Sequence, residues 1–541
     1  MPTVGQFAIS RIKQRIAHGF GIPGDYCLNF YDQLSQEIDM VGTTDEQCAG
    51  FAADAYARVK GLGLVVVTYC VGGFKIINPI ANAYAERSPV LVISGAPGVK
   101  ERRGGLLLHH QAGPFESQLK MFEKITCAQA VLDDPTFAGR EIDRVLESMA
   151  YHKRPGYIEI PRDIVDKNLK YDVYTQPVPD PAFLDKDNLE EAVEKSIEWI
   201  QKASNPVILA GVELARFDFG LPLIKFAERG NIPIATTLLG KSIVSERHPL
   251  SLGVYCGKSS REHVRKVVEN SDCVLMLGVM QTDMNLGFKP FMCNQTNVIM
   301  ANIGHVRIRR STYDYVEFNH FINALLSADV ARKASIQIPE KAMPCFTPVA
   351  GKDITSTRLF EKIDAILDHE MAVIADVGDS LFGASDLTVH HRNHFLAPAY
   401  YTSMGNSVPG ALGVQTALPK VRPIVVVGDG AFQMTGMEFS TLVRRKLNPI
   451  VIVLNNQGYS TERCLGHDGD FNNIQSWNYH MVPELVGGGK GFLVKTEDQL
   501  EEAFAAALAN DNSASIINVV LDKMDVTPAL KRMTDSLSEH V

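Results

Sequence analysis

The sequence has no run approaching ~18 consecutive apolar residues, so no transmembrane helix and no membrane partner are expected. It has no basic excess. Its 53 Lys and Arg stand against 62 Asp and Glu, a formal charge of −9, which argues against a dedicated nucleic-acid binder. None of the nine cysteines forms a C-x-x-C pair. An odd number in so long a chain speaks against a disulfide framework or a zinc ribbon, and reduced, mostly buried thiols are the expectation. Residues 1–18 lack the ordered charge, apolar and cleavage regions of a signal peptide, which adds to the expectation of a cytoplasmic protein. There is no short-period repeat and no low-complexity tract. What is present is 45% hydrophobic and 21% charged residues over 541 positions. That composition supports large cores, and at ~150 residues per domain it predicts three or four of them.

Short apolar runs at 64–69, 89–94 and 157–160 alternate with helical stretches such as 46–60 and 77–86. Continuously apolar strands separated by helices predict a parallel sheet covered on both faces. Three prolines in residues 174–181 break regular structure. A second unit follows, with strands expected at 206–210, 234–236, 273–278 and 298–302. Three more prolines interrupt 337–348. The third unit has expected strands at 372–376, 423–427, 449–454 and 515–520, and helices at 357–368, 408–417, 437–446 and 497–508. The expectation is an α/β chain of three doubly wound parallel-sheet domains, at 1–173, 187–335 and 350–541.

The strongest chemical signal lies in the third unit. Gly428-Asp429-Gly430 directly follows one expected strand, and Asn455-Asn456-Gln457-Gly458 ends the next, with 456 − 429 = 27 positions from Asp429 to Asn456. Both segments sit at carboxyl ends of parallel strands, where open α/β sheets bind ligands. Asp429 offers a carboxylate, Asn456 an amide oxygen and Gly458 a backbone carbonyl. Such hard oxygens suit Mg²⁺ or Ca²⁺ completed by phosphates and water. The glycines let the backbone approach a diphosphate, and the following helix presents its N–H groups. Gly-Asp-Gly alone is a common strand-to-helix turn, and Gln433 breaks the dinucleotide fingerprint. The pair of motifs at this spacing is far more specific.

Two further features are ambiguous when read alone. Glu46 opens an Ala-rich helix and reads as a carboxylate favoured by the helix dipole. His109 and His110 are adjacent, cannot share a helix face, and read as a loop.

The Gly428–Gly458 pattern together with the segment around Glu46 resembles the thiamine diphosphate-dependent enzymes, over essentially the whole chain. The resemblance implies pyrimidine-binding, middle and diphosphate-binding domains. It implies Mg²⁺ held by Asp429, Asn456 and the carbonyl of Gly458, with Gly428, Gly430, Ala431 and Tyr459 completing the cofactor contacts. By the same match Gly378 and Ser380 contact the cofactor, and Met404, 429 − 404 = 25 positions before Asp429, props it bent. Glu46 would hydrogen-bond the cofactor's aminopyrimidine ring and so activate it.

His109-His110 also matches the tandem histidines of pyruvate and indolepyruvate decarboxylases, as do Asp25 in Gly21–Tyr26 and Glu462 in Gly458–Glu462. That joint match implies non-oxidative decarboxylation of a 2-oxo acid to an aldehyde. Asp25, His109, His110 and Glu462 would form a proton-handling cluster. The chain departs from the pattern at Val377, where Thr is common, at Gln111-Ala112, where Thr-Leu is common, and at Thr461, where Ile or Val is common. Leu381 stands where pyruvate-specific bacterial enzymes have Trp. Leu381, Phe382, Thr461 and Leu465 are therefore the expected substrate wall, and a branched, aromatic or long-chain 2-oxo acid is expected over pyruvate, with a broad range. The alternatives are a pyruvate decarboxylase proper or a carboligase of the acetolactate synthase type. The His pair and Glu462 speak against the carboligase. A nicotinamide dehydrogenase is disfavoured because the turn Ala210-Gly211-Val212-Glu213 lacks the fingerprint. The resemblance further implies at least a homodimer, commonly a homotetramer, with Glu46 and Asp429 of one site on different chains.

Overall fold

The computed structural model describes residues 1–170, 184–288, 295–334, 338 and 345–538. The expected break at 174–181, most of that at 337–348, and the expected domain limits 173 and 335 lie outside the described residues.

The first sheet comprises β1 (His18–Gly21), β2 (Asp39–Gly42), β3 (Gly63–Val67), β4 (Val90–Ala96), β5 (Ala128–Val131) and β6 (Gly156–Pro161), in the order β2-β1-β3-β4-β6-β5. All its pairings are parallel. Strands β3, β4 and β6 are buried at every position, as their largely apolar sequences require, and the buried Glu159 of β6 pairs with Arg102 at 2.8 Å.

The middle sheet comprises β7 (Pro206–Ala210), β8 (Ile234–Thr236), β9 (Ser251–Val254), β10 (Cys273–Leu277), β11 (Val298–Asn302), β12 (His305–Ile308) and β13 (Ser311–Tyr313). Its order is β13-β12-β11-β10-β7-β8-β9. The sheet is parallel from β9 to β11, and at its other edge β12 and β13 pair antiparallel. Two tight turns, Ile303-Gly304 and Arg309-Arg310, return the chain directly, and so short a link leaves only antiparallel pairing. Gly304 and Arg309 take the positive φ such turns need, 78° and 57°.

The third sheet comprises β14 (Met371–Ala375), β15 (Phe395–Leu396), β16 (Arg422–Gly428), β17 (Ile450–Asn455), β18 (Lys490–Val494) and β19 (Ser515–Val520). Its order is β15-β14-β16-β17-β19-β18, all parallel. The helix expected over 437–446 is split into a 3₁₀ turn, Gly436–Glu438, and a short helix, Phe439–Arg444.

The first and third units share a core. Helix Glu46–Lys60 lies against helix Ser407–Ala417, every residue of which is buried. The small residues Ala49, Ala52 and Ala53 permit the approach, and a Cβ at Gly413 would collide with the Ala52 carbonyl. Polar contacts fix the register. The Thr44 N–H donates to the Glu438 carboxylate at 3.0 Å, and Arg58, held between Asp54 and Glu86, donates through Nη1 to the Ala397 carbonyl at 3.2 Å. Among the described residues no helix is long and apolar enough to cross a membrane.

Candidate active site

The carboxyl ends of β14, β16 and β17 converge on a cleft of about 250 Å³. Strand β16 delivers Gly428, and Asp429 begins the helix Asp429–Thr435. Asp429 is buried, and its Oδ1 and Oδ2 accept from the Gly430 and Gly458 N–H groups at 2.8 and 3.2 Å. Burial pushes its carboxyl up to about 6 despite those bonds. Asn456, at the end of β17, is also buried. Its Nδ2 donates to Ser460 Oγ at 3.0 Å, while its Oδ1 has no hydrogen-bond partner. Gly458 has φ 140°, and a Cβ there would collide with the Asn472 carbonyl. A Cβ at Gly428 would instead stand in open space. A buried carboxylate held above its ordinary range and an orphaned amide oxygen are an oxygen donor set suited to a divalent cation. The open space over Gly428 leaves room for a diphosphate at the helix N-terminus.

Loop 376–380 forms the facing wall. Asp376 is buried and accepts from the Val377, Gly405 and Ser407 N–H groups and from Ser407 Oγ at 2.7–3.0 Å. This ties loop 376–380 to the segment carrying Met404, which lines the cleft. Gly378 has φ 84° and caps helix Asp379–Ser385. Ser380 is buried with Oγ unpartnered. Asp379 accepts from the N–H and the hydroxyl of Thr527, and burial pushes its carboxyl up to about 6. Gly378, Ser380, Phe382, Gly430, Ala431, Tyr459, Thr461, Glu462 and Leu465 all line the cleft.

Leu381 does not. It is fully buried and packs in the core of the third unit in this chain. At 100° per residue, Asp379, Ser380 and Phe382 share one side of the helix and Leu381 takes the other. The remaining apolar wall comes from residues the sequence did not single out: Met284 and Phe288 of the middle unit, and Met533 and Leu537 of the C-terminal helix Pro528–Ser538. No local motif marks them.

The other expected residues gather in the first unit, and none of them lines this cleft. Asp25 Oδ2 lies 2.7 Å from His109 Nε2. The His109 ring stacks on Tyr26 at 4.6 Å and meets His110 edge-on at 4.9 Å. Ligand atoms of Asp25, His109 and His110 all lie within 4.8 Å of one another. His110 has φ 66°, and its Nδ1 is buried without a partner. Glu46 is nearly buried at the head of its helix, and Lys75 Nζ donates to it at 3.0 Å.

Comparison with known proteins decides the family. Residues 2–121 match the N-terminal TPP binding domain of the thiamine pyrophosphate enzymes, 193–328 their central domain and 376–519 their C-terminal TPP binding domain. The chain belongs to the thiamine pyrophosphate enzymes. Its cofactor is thiamine diphosphate, with Mg²⁺ as the family's usual metal. It is 33% identical to an indole-3-pyruvate decarboxylase of Azospirillum brasilense, over 96% of each chain. It is 31% identical to an alpha-keto-acid decarboxylase of Mycobacterium tuberculosis, over 99% of this chain and 97% of the other. It is 31% identical to pyruvate decarboxylase 3 of Arabidopsis thaliana, over 98% and 92%.

Proposed function

We propose that the protein is a thiamine diphosphate-dependent decarboxylase that converts a 2-oxo acid to an aldehyde and carbon dioxide. The observation that carries this reading is the cleft itself. Asp429 and the orphaned Asn456 oxygen stand at its base, Glu462 at its side, and apolar side chains along the rest. Relatives whose names state decarboxylation of indole-3-pyruvate, alpha-keto acids and pyruvate span nearly the whole chain.

When bound, thiamine diphosphate supplies the electron sink for the electron pair left as carbon dioxide departs. Asp429, Asn456 and the Gly458 carbonyl would hold the Mg²⁺, and Gly428, Gly430, Ala431 and Tyr459 would bound the diphosphate space. Ser380 would offer its unpartnered hydroxyl, and Met404 would prop the cofactor. Glu46 would hydrogen-bond the aminopyrimidine ring through its carboxyl and so favour the ring's imino form, with Lys75 holding that carboxyl in place. The apolar wall excludes water and disfavours an ionised substrate carboxylate, so loss of carbon dioxide relieves a buried charge. Glu462 handles the proton balance beside that carboxylate. Asp25, His109 and His110 would deliver a proton to the carbon that has lost carbon dioxide.

The Asp25–His109–His110 cluster and Glu46 do not line the cleft of their own chain. We therefore place them over the cleft of a second copy, making a homodimer the minimal active unit, with a homotetramer as the full assembly. The pyrimidine-binding role falls to residues 1–173, the diphosphate-binding role to 350–541, and 187–335 lie between. Phe382, Thr461, Leu465, Phe288 and Met533 set the substrate size, and the preferred substrate is a branched, aromatic or long-chain 2-oxo acid. The compartment is the cytoplasm.

The test is a kinetic panel of pyruvate, 2-oxoisovalerate, phenylpyruvate, indolepyruvate and benzoylformate, with aldehyde coupled to an alcohol dehydrogenase. Aldehyde that requires both thiamine diphosphate and Mg²⁺ supports the reading. A ligation product such as acetolactate in place of aldehyde would overturn it. The highest kcat/KM on pyruvate would overturn the substrate preference alone.

A further inference from the structure

We propose that Arg463 is a positioning residue that shapes the cation-binding loop from beneath and so sets the affinity for Mg²⁺. This rests on the reading of Asp429, Asn456 and Gly458 as the cation ligands. Arg463 belongs to the five-residue helix Ser460–Cys464, one position after Glu462. The two side chains diverge: Glu462 is exposed and lines the cleft, whereas Arg463 is buried. The guanidinium lies under the loop. Its Nη1 donates to the Asn456 carbonyl at 3.3 Å and the Lys523 carbonyl at 3.4 Å. Its Nη2 donates to the carbonyls of Gln457 and Asn472 at 3.1 and 3.4 Å, and to Asn473 Oδ1 at 2.8 Å. Among the described residues its one ion pair is with Asp468, 3.5 Å from Nε and half in solvent, and its charge also acts on the Asp429 carboxyl.

A buried guanidinium supported mainly by neutral carbonyls is expensive to keep. Here it joins three segments with one planar fork. The acceptors at 456 and 457 immediately precede Gly458. Those at 472 and 473 belong to the strand-like stretch that bridges Gly458 and receives the Tyr459 N–H. Lys523 follows the end of β19. With the carbonyls of 456 and 457 committed downward to Arg463, the peptide planes around Gly458 are fixed, and Asn456 Oδ1 is left without a partner on the cleft side. Gly458 makes the arrangement possible, since a Cβ there would press on both Asn472 O and Arg463 Nη2.

The positive charge opposes the same end by simple repulsion of a divalent cation, so the two effects predict opposite signs. Groups that orient metal ligands from outside the coordination sphere typically change metal affinity about 10–100-fold when removed. If orientation dominates, Arg463→Met raises the Mg²⁺ concentration needed for loading by at least about tenfold. Arg463→Lys, which keeps the charge and loses the fork, falls between. Asn473→Ala, which removes one acceptor and leaves the arginine, shifts the requirement a few-fold in the same direction.

The measurement is calorimetric titration of thiamine diphosphate into the cation-free full-length protein at a series of Mg²⁺ concentrations, with near-ultraviolet circular dichroism as the folding control. Arg463→Lys and Asn473→Ala decide the matter if Arg463→Met does not fold. An unchanged Mg²⁺ requirement in the folded variants would overturn the inference, as would tighter Mg²⁺ binding on loss of the charge. Asp429→Asn separates the two levels. If it too leaves the Mg²⁺ requirement unchanged, the assignment of the cation site itself fails. If it abolishes loading while the Arg463 and Asn473 variants load normally, only the role of Arg463 fails.

Discussion

Asp429→Asn should make the cation-free protein more stable at neutral pH while abolishing cation loading. In the folded chain burial holds the Asp429 carboxyl near 6, against an ordinary value of 3.8. A difference of about 2.2 pH units corresponds to about 3 kcal/mol at 1.36 kcal/mol per unit. The sign follows from the raised value. The folded state binds the proton more tightly, so this contribution is complete below about pH 4 and lost as the pH rises through 6. Above pH 6 the empty folded protein carries an ionised carboxylate at an unfavourable site. Asparagine removes the charge but keeps only one of the two acceptors that serve Gly430 and Gly458, at a cost of about 1 kcal/mol. The net expectation is a gain of about 2 kcal/mol at pH 7.5 that shrinks to nothing or reverses near pH 4.5. The assay is calorimetric unfolding in a chelator at both pH values, then repeated with thiamine diphosphate and Mg²⁺, where only the wild type should shift upward. A cation-free variant less stable than wild type at pH 7.5 would refute the reasoning. It would mean that the two N–H donors already satisfy the carboxylate, leaving no strain for a cation to relieve.

Three other outcomes follow from the geometry. Mixing Glu46→Gln chains with Asp429→Asn chains, each inactive alone, should restore part of the activity if each site draws on two copies. Recovery of none, with mixed dimers shown to form, would place both residues in one chain's site. Met533→Ala should raise kcat/KM for aromatic over small 2-oxo acids by about tenfold, since a few methylenes alter discrimination by about 1–3 kcal/mol; a ratio equal to wild type would remove the C-terminal helix from the pocket. Leu381→Ala should cost about 2–5 kcal/mol of stability and leave substrate preference unchanged, because Leu381 fills the core and not the cleft; a shifted preference without destabilisation would return it to the wall.

What the sequence made legible was the chemistry carried by contiguous residues. Gly428–Gly430 and Asn455–Gly458 declare themselves because each directly follows a buried apolar strand. The strands β3, β4, β16 and β17 were readable for the same reason, each carrying a run of apolar residues. The antiparallel hairpin β12–β13 was not, because it lies at an edge, is short, and alternates exposed and buried positions with no apolar run. Met284, Phe288, Met533 and Leu537 reach the cleft only through tertiary packing, and nothing in their local sequence separates them from ordinary core residues. The burial of Leu381 was not legible, because family position alone does not tell which way a helix faces. Arg463 went unremarked beside Glu462, since a lone arginine on a short helix reads as a solvated charge until its five acceptors are seen.

The central claim is best tested by following a 2-oxo acid labelled at its carboxylate. With thiamine diphosphate and Mg²⁺, and with no added oxidant or acceptor, the protein should release labelled carbon dioxide and aldehyde in equal amounts, and Glu46→Gln should release neither. Labelled carbon dioxide accompanied by a carboxylic acid or a ligated hydroxy-ketone in place of the aldehyde would contradict it.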